Sequence, residues 1–367
     1  MSSNWHNTLL ISALSLVFVV PATQAETQPG EALAKAAHIP WPAVIAHRGA
    51  SFDAPESTRA AYLLARELGA DYLEMDLQRT RDGHLIALHD TNLKRTTDIA
   101  TQFPERQDQP VSQFTLAKLR TLDAGSWFNQ AYGARARAQY AGLKILTLDE
   151  IIDIAEQNPQ HRPGLYIETK APQLFPGIEK DLQAKLLQRG WVTAQGEVAG
   201  GHRLILQTFE RNSLTLLDQA MHGVPKILLL WVGKGGMTPV SDKPFDAASG
   251  QSKAAYYAQQ QPKDHAEFER WLDFAKANGA TGTGPSAALT QGGDQSYMDL
   301  VQPWMNQLTH DKGLLVHVYT VDDPLDYKKV MNAGVDGIFT NRASELLKFY
   351  QRPVKGTVDE ILKGQGY

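Results

Sequence analysis

Residues 72–77 read YLEMDL, an apolar run in which Glu74 and Asp76 stand at alternate positions. Successive side chains of a β-strand point to opposite faces, so the two carboxylates share one face. Buried neighbouring carboxylates repel each other and lose hydration, which is unfavourable unless a cation neutralises them. Because Mg²⁺ and Ca²⁺ prefer carboxylate oxygens, this strand predicts a divalent metal site. For the pair alone, the alternative is an exposed edge strand.

A hairpin is predicted directly after this strand. Asp82 and Gly83 form a turn signal between two strand-like runs. If these two residues are the whole loop, residues whose numbers sum to 165 lie opposite each other, and Asp76 faces His89. A histidine opposite an acid is a candidate proton-transfer group. The alternative is a histidine at a strand end whose partner is Asp90.

Strand-like and helix-like segments alternate from residue 43 onward, which indicates parallel strands joined by helices. The strand-like segments are 44–46, 72–77, 85–88, 165–167, 203–207, 226–231, 314–320 and 337–340. The helical segments are 56–68, 148–157, 177–188, 211–220, 266–278, 298–309, 326–332 and 343–351. A (β/α)8 barrel takes about 250 residues. A chain of 367 residues therefore has room for a barrel with insertions and tails.

Two segments, 91–140 and 233–264, lack this alternation. The first contains an aromatic cluster of Trp127, Phe128 and Tyr132, and it predicts a small helical cap. The second is rich in Gly, Ser, Gln and Ala, and it predicts a long loop.

The composition excludes several classes of protein. A hydrophobic fraction of 43% excludes a disordered chain, and a net charge of −4 argues against a nucleic-acid binder. The chain has no cysteine, which removes thiol catalysis and zinc–thiolate sites. It has no apolar stretch of 18 residues, so we expect no stable membrane insertion.

The N-terminus has the pattern of a secretory signal. Residues 1–25 carry no Asp, Glu, Lys or Arg, and a mainly apolar run at 9–20 precedes Pro21 and a small residue at Ala25. Such a segment predicts a signal peptide at 1–25, cleaved near Ala25, and a periplasmic or secreted protein. The alternative is a short buried helix.

Two further clusters of polar residues stand at predicted strand ends. His47 and Arg48 follow the strand at 44–46, and Glu168 and Lys170 follow the strand at 165–167. Catalytic groups of barrel enzymes lie where the strands finish. Acids for a divalent metal, cations for an anion and histidines for protons together predict one site for a phosphate ester.

Six short motifs occur in order: HRG at 47–49, PEST at 55–58, EMD at 74–76, HD at 89–90, ETK at 168–170 and DGIFTN at 336–341. In order and spacing they resemble the glycerophosphodiester phosphodiesterases, over residues 45–347. The segment LDAGSWF at 122–128 is similar to a signature of the larger, exported bacterial members. The resemblance implies an α/β fold, a (β/α)8 TIM barrel of the phospholipase C-like phosphodiesterase type with a small helical insertion.

The resemblance also implies an activity and a role for each residue. The expected reaction is hydrolysis of a small-molecule glycerophosphodiester to sn-glycerol 3-phosphate and an alcohol, with one divalent cation, Ca²⁺ or Mg²⁺. The expected metal ligands are Glu74, Asp76 and Glu168, and the expected acid/base pair is His47 and His89. Arg48 and Lys170 are expected to bind the phosphate, and Glu56, Phe209 and Tyr319 are further candidates for substrate binding.

Two positions depart from the family pattern, with Ser57 where Asn is usual and Tyr319 where Trp is usual. We place the barrel at 41–351, a cap at about 91–146 and a C-terminal tail at 352–367. The cap is expected to lean over the barrel rim and to affect the choice of alcohol more than the rate. The alternatives are a lysophospholipase D-like phosphodiesterase and a periplasmic binding protein for phosphorylated solutes; the oligomeric state stays open.

Overall fold

Eight parallel strands close into a barrel in the computed structural model, which describes residue 1 and residues 28–238, 245, 250–290 and 298–367. The strands are β1 (Ala43–Ala46), β2 (Tyr72–Arg79), β3 (Leu85–Ala87), β4 (Gly164–Thr169), β5 (Leu204–Thr208), β6 (Lys226–Leu229), β7 (Gly282–Gly284), β8 (Leu315–Val318) and β9 (Gly337–Thr340). The ring runs β1-β2-β4-β5-β6-β7-β8-β9, and β9 pairs again with β1. This confirms the predicted (β/α)8 barrel. Apart from Met1, the predicted signal peptide at 1–25 lies outside the described residues.

Helices surround the barrel, as expected for strands that are joined by crossovers. They are α1 (Pro29–Ala36), α2 (Arg59–Leu68), α3 (Ile99–Gln102), α4 (Leu116–Leu119), α5 (Ser126–Ala131), α6 (Leu148–Glu156), α7 (Ile178–Gln188), α8 (Arg211–Ala220), α9 (Lys253–Gln260), α10 (His265–Ala277), α11 (Pro303–Asp311), α12 (Pro324–Asn332), α13 (Ala343–Phe349) and α14 (Val358–Gly364). No helix in the described part of the chain is long and apolar enough to cross a bilayer.

Two elements differ from the segments expected. Strand β7 was not predicted, because Gly282-Thr283-Gly284 has no apolar side chain at its ends. A Cβ on Gly282 would lie 2.6 Å from the Leu315 carbonyl oxygen, so close strand packing requires glycine there. Helix α9 lies inside the segment 233–264 that was expected to be a loop, part of which is outside the described residues.

The hairpin that β3 forms with β2 has a different register from the one predicted. Leu77 pairs with Ala87 and Arg79 pairs with Leu85, so the numbers of opposed residues sum to 164 and Asp76 is opposite Leu88. The predicted pairing of Asp76 with His89 is therefore wrong. The backbone N–H of Thr80 donates to the His84 carbonyl, which leaves a loop of 81–83 with its glycine in the left-handed region. A three-residue loop of this kind is a common hairpin turn.

The insertion between β3 and β4 contains α3, α4 and α5 together with short 3-10 turns. The Tyr140 hydroxyl donates to the carbonyl of Asp53 in the β1–α2 connection, at 2.8 Å. Residues 352–367, expected as a tail, include α14, whose Leu362 is buried and which packs against α2. The insertion and this last helix therefore both contact the barrel.

The barrel interior is filled by side chains below the carboxyl ends of the strands. Tyr72, Tyr166, Leu315 and Phe339 pack there, and α1 covers the amino-terminal end of the barrel with Ala34. Because this end is closed, a cavity for a ligand is left at the carboxyl ends, where barrel enzymes carry their sites.

His317 makes the stability of the barrel depend on pH. It is fully buried, its Nδ1 is 3.0 Å from the Tyr166 hydroxyl, and its Nε2 has no hydrogen-bond partner among the described residues. Burial lowers the pKa of His317 from 6.5 to about 4. The folded state therefore keeps His317 neutral at a pH where the unfolded chain binds a proton, so stability falls as the pH drops from about 6.5 towards 4.

We expect His317→Gln to reduce this acid sensitivity. Between pH 7 and pH 4.5 the wild-type chain should lose about 2–3 kcal/mol more free energy of unfolding than the variant. Urea unfolding at the two pH values measures the difference. His84→Gln is the control, because the side chain of His84 is 53% exposed. Equal pH dependence in the wild type and in His317→Gln would contradict the assignment.

Candidate active site

A cavity at the carboxyl ends of the parallel strands gathers nearly all of the predicted site residues. Those that line it are His47, Arg48, Glu74, Asp76, His89, Glu168, Lys170, Phe209 and Tyr319. Gln207, Leu229, Thr320 and Phe339 also line it and were not predicted. The charged lining residues all come from positions 48–170, whereas the lining residues from 207 onward are uncharged. The cavity thus has a charged side and a largely apolar side.

Three carboxylates meet on the charged side. Glu74 and Asp76 project from one face of β2, and the parallel pairing of β2 with β4 sets Glu168 opposite Asp76. Each of the three offers an oxygen, these oxygens lie within 4.8 Å of one another, and all three residues are at most 5% exposed. Because a divalent cation binds carboxylate oxygens at about 2.0–2.6 Å, one ion can contact all three.

Two cations only partly neutralise these acids. Arg48 Nε lies 3.2 Å from Asp76 Oδ2, and Lys170 Nζ lies 3.1 Å from Glu168 Oε1. Burial, together with repulsion from Asp76 and Glu168, raises the pKa of Glu74, and burial raises the pKa of Glu168 to about 7. The three carboxylates therefore do not all ionise at neutral pH without further positive charge.

Two buried oxygens in the cavity also fit a cation. Asp76 Oδ2 accepts no hydrogen bond, although it forms the ion pair with Arg48, and Gln207 Oε1 has no partner among the described residues. The Gln207 amide donates to Glu74 Oε1 at 3.2 Å. The donor set, which is made entirely of oxygen atoms, is suited to Ca²⁺ or Mg²⁺.

His47 is held by an amide that directly follows the last barrel strand. Its Nδ1 is 2.8 Å from Asn341 Oδ1, and the Asn341 amide donates to Asp322 Oδ2 at 2.7 Å. The backbone N–H of Asn341 donates to the other oxygen of Asp322, also at 2.7 Å. Because Asp322 binds the NH₂ group, Asn341 presents its oxygen to His47, and His47 Nδ1 must carry the proton. Nε2 is left with a free lone pair.

His89 is held by a carboxylate instead. Its Nδ1 donates to Asp90 Oδ1 at 2.7 Å, and Asp90 in turn binds Arg95. His89 lines the cavity although it lies one position beyond the residue opposite Asp76, because β3 ends at Ala87 and the strand register no longer governs its side chain. The register was wrong, but the placement of His89 in the cavity agrees with the expectation.

Two other predicted positions have distinct places. Glu56 does not line the cavity; it lies behind Arg48 and accepts hydrogen bonds from Arg48 and Arg95, so its contact with substrate stays a prediction. Ser57 has a positive φ of 57°, in the left-handed region where Asn is enriched over other residues.

Gln207 lines the cavity but was not predicted. It is the last residue of a predicted strand, but an amide carries no charge pattern that marks it as a site residue.

Comparison with known proteins gives the family. The model of the glycerophosphoryl diester phosphodiesterase family matches residues 47–345. The chain belongs to this family. It is 34% identical, over 81% of its length and 82% of the relative, to a glycerophosphodiester phosphodiesterase of Bacillus subtilis. This phosphodiesterase is thus a hydrolase, as the motifs predicted.

Solved structures agree with the fold of this phosphodiesterase. A phosphodiesterase of Oleispira antarctica, solved in complex with the product sn-glycerol 3-phosphate, has a TM-score of 0.60 at 23% identity and covers 85% of this chain and 97% of its own. A glycerophosphodiester phosphodiesterase of Agrobacterium tumefaciens has a TM-score of 0.53 at 21% identity and covers 82% of this chain and 97% of its own. At these identities the likeness concerns the fold.

Proposed function

We propose that this chain hydrolyses glycerophosphodiesters to sn-glycerol 3-phosphate and an alcohol by general acid/base catalysis that depends on one divalent cation, Ca²⁺ or Mg²⁺. One observation carries the proposal: three carboxylates that can share an ion, two cationic side chains and two histidines line the same cavity. The family supports the substrate class. A solute-binding protein would have no need of paired histidines beside the carboxylates.

Arg48 and Lys170 bind the phosphate in this proposal. Both line the cavity and both are paired with the metal-binding carboxylates, so their charges lie next to the position of an ion. The chemistry that a divalent cation supplies, when Glu74, Asp76 and Glu168 hold it, is polarisation of a phosphoryl oxygen. The two cationic side chains stabilise the remaining negative charge on the phosphoryl group.

His47 is the general base. Its Nδ1 proton faces Asn341 Oδ1, so Nε2 is the atom that can accept a proton from the attacking oxygen. Burial, reinforced by Arg48, lowers the pKa of His47 to about 3, which keeps the ring neutral before substrate binds. The attacking oxygen belongs either to water or to a neighbouring hydroxyl of the substrate.

His89 is the general acid. Its Nδ1 partner, Asp90, is a carboxylate, which stabilises an imidazolium, whereas the partner of His47 is a neutral amide. Burial lowers the pKa of His89, but Asp76 and Asp90 oppose that lowering. His89 Nε2 then delivers a proton to the departing alkoxide. The carboxylates that hold the metal cannot supply this proton.

The amide behind His47 allows a direct test of its role. Asn341→Ala should reduce kcat up to about 10²-fold with little change in KM, because the imidazole loses its fixed tautomer and orientation. Asn341→Asp should also be impaired, since a second carboxylate would face Asp322. Adding Asp322→Asn restores a donor next to an acceptor, so the double variant should recover activity. Steady-state kinetics decide; a double variant no better than Asn341→Asp would contradict the arrangement.

The function itself is tested by an assay coupled to sn-glycerol 3-phosphate, with glycerophosphocholine, glycerophosphoethanolamine and glycerophosphoglycerol as substrates, and by choline release from lysophosphatidylcholine, each with and without EDTA. Release of sn-glycerol 3-phosphate that EDTA abolishes supports the proposal. Turnover of lysophosphatidylcholine alone would favour the lysophospholipase D-like alternative. Absence of turnover in the presence of added Ca²⁺ and Mg²⁺ would refute the proposal.

We propose that the protein is exported and matures near Ala25, on the apolar run and the small residue of its first 25 positions. Expression of the full chain in a Gram-negative host, followed by fractionation and N-terminal sequencing, tests this. A mature N-terminus near Glu26 in the periplasmic fraction is the expected result. A cell-associated protein that keeps Met1 would contradict it.

A further inference from the structure

Arg95, in the insertion, joins two carboxylates that lie behind the active-site cavity. Its Nη1 and Nη2 donate to the two oxygens of Glu56, each at 2.8 Å. Its Nε and Nη2 donate to the two oxygens of Asp90, each at 2.9 Å. One planar guanidinium thus makes a bidentate pair with each acid.

Each of these carboxylates also holds a group that lines the cavity. Asp90 Oδ1 accepts the Nδ1 proton of His89 at 2.7 Å, and Glu56 Oε1 accepts from Arg48 Nη1 at 3.1 Å. The chain of contacts runs without a gap from His89 through Asp90, Arg95 and Glu56 to Arg48. It connects the proton donor to the phosphate-binding cation.

We propose that Arg95 is a positioning residue, which fixes His89 through Asp90 and Arg48 through Glu56. This inference rests on the proposed function, because it takes His89 as the proton donor and Arg48 as a phosphate-binding cation. Arg95 touches neither the cavity lining nor the metal-binding carboxylates in the contacts described. It acts through the two acids alone. The insertion therefore contributes to the rate of bond cleavage, beyond the choice of alcohol expected from the sequence.

The geometry calls for arginine at this position. The Arg95 side chain is 42% exposed, and a single ion pair with that exposure contributes little. Four N–H groups in two bidentate pairs, however, fix both carboxylates in a way that a point charge does not. The partners are more enclosed, with Glu56 at 12% and Asp90 at 28% side-chain exposure. A lysine can neutralise charge here but cannot orient both acids at once.

Loss of Arg95 should disturb both His89 and Arg48, and each disturbance should change a different kinetic constant. Without its two N–H donors Asp90 is free to rotate away from His89, which lowers kcat. Without its bidentate partner Glu56 no longer fixes the position of Arg48, which weakens phosphate binding and raises KM. A displacement of a reacting group by about 1 Å can cost 10²-fold in rate.

The test compares Arg95→Gln, Arg95→Lys, Asp90→Asn and the double variant Arg95→Gln/Asp90→Asn in the full chain, with glycerophosphocholine and saturating Ca²⁺. Arg106→Gln is the matched control, because Arg106 is another insertion arginine that stacks on Phe114 and binds Gln109 away from the cavity. Calcium affinity by calorimetry and thermal melting accompany the kinetics, so that a loss of metal binding or folding is recognised.

Arg95→Gln is expected to lower kcat up to about 10²-fold and to raise KM, and Arg95→Lys should recover only a small part of either. Asp90→Asn should lower kcat with KM within about twofold of the wild type. In the Asp90→Asn background, Arg95→Gln should lower kcat only slightly further, because Arg95 can no longer orient His89 once the Asp90 carboxylate is lost.

Three results would overturn the proposal: Arg95→Gln within about twofold of the wild type in both constants, Arg95→Lys fully active, or an equal kcat loss from Arg95→Gln in both backgrounds. If Arg95→Gln does not fold, Arg95→Lys, which keeps the charge, carries the test. A wild-type chain without activity on any glycerophosphodiester would instead refute the proposed function, so the two failures are distinguishable.

Discussion

Hydrolysis of glycerophosphocholine by His89→Ala is expected to be about 10²–10⁴-fold slower than by the wild-type chain. The choline alkoxide is a poor leaving group that needs a proton, and His89 is the residue whose Nδ1 is backed by a carboxylate. With a p-nitrophenyl ester of glycerol phosphate the leaving group departs without a proton. The same variant should then recover most of its activity.

His47→Ala is the matched comparison for this result. It should lose about 10²–10⁴-fold on both substrates, because the base is needed whatever group departs. Calcium binding by calorimetry should stay near the wild-type value in both variants, since neither histidine belongs to the carboxylate cluster. Equal rescue of the two variants by the nitrophenyl ester, or full activity in either, would contradict the assignment.

Removal of the divalent cation is expected to have the other large effect. EDTA should abolish turnover, and added Ca²⁺ or Mg²⁺ should restore it. Glu74→Gln should weaken metal binding and activity together, with partial recovery at high metal concentration, because it removes one of three converging charges. Metal should also raise the melting temperature of the wild type more than that of the variant, since a ligand that binds the folded state stabilises it.

Glu179→Gln is the control for the loss of a buried acid. Glu179 is 4% exposed, lies on α7 and accepts a hydrogen bond from Ser213 Oγ at 2.6 Å, which an amide oxygen can also accept. Its metal affinity and kinetics should match the wild type. Wild-type activity that survives exhaustive chelation would contradict a metal-dependent reaction.

The carboxylate cluster was predictable because strand geometry is periodic. Alternation along β2 fixes Glu74 and Asp76 on one face, and parallel neighbours in a barrel end at the same rim, which brings Glu168 to them. Both rules depend on residue type and spacing alone. Once a barrel is expected from the alternation of strands and helices, the meeting of the three carboxylates follows from them.

The parts that were missed depend on contacts between distant segments or on loop geometry. The register of the β2–β3 hairpin depends on whether its loop has two or three residues, and the Asp82–Gly83 signal does not specify that length. The hydrogen bonds of Arg95 join the insertion to Glu56, 39 positions earlier, and no local pattern encodes them. Gln207 and Asn341 act through amides, which are neutral and frequent on surfaces, so their types alone do not indicate a role.

The two sides of the cavity come from two separate stretches of the gene. A recombination between the end of α7 at Gln188 and the start of β5 at Leu204 would keep every charged lining residue from one parent. It would take Phe209, Leu229, Tyr319 and Phe339 from the other parent. Such a chimera keeps every charged residue of the cavity and exchanges its largely apolar side, provided that the incoming half supplies an amide for Glu74 as Gln207 does and one for His47 as Asn341 does. In this barrel, a single crossover can therefore replace the uncharged lining of the cavity while every charged lining residue stays the same.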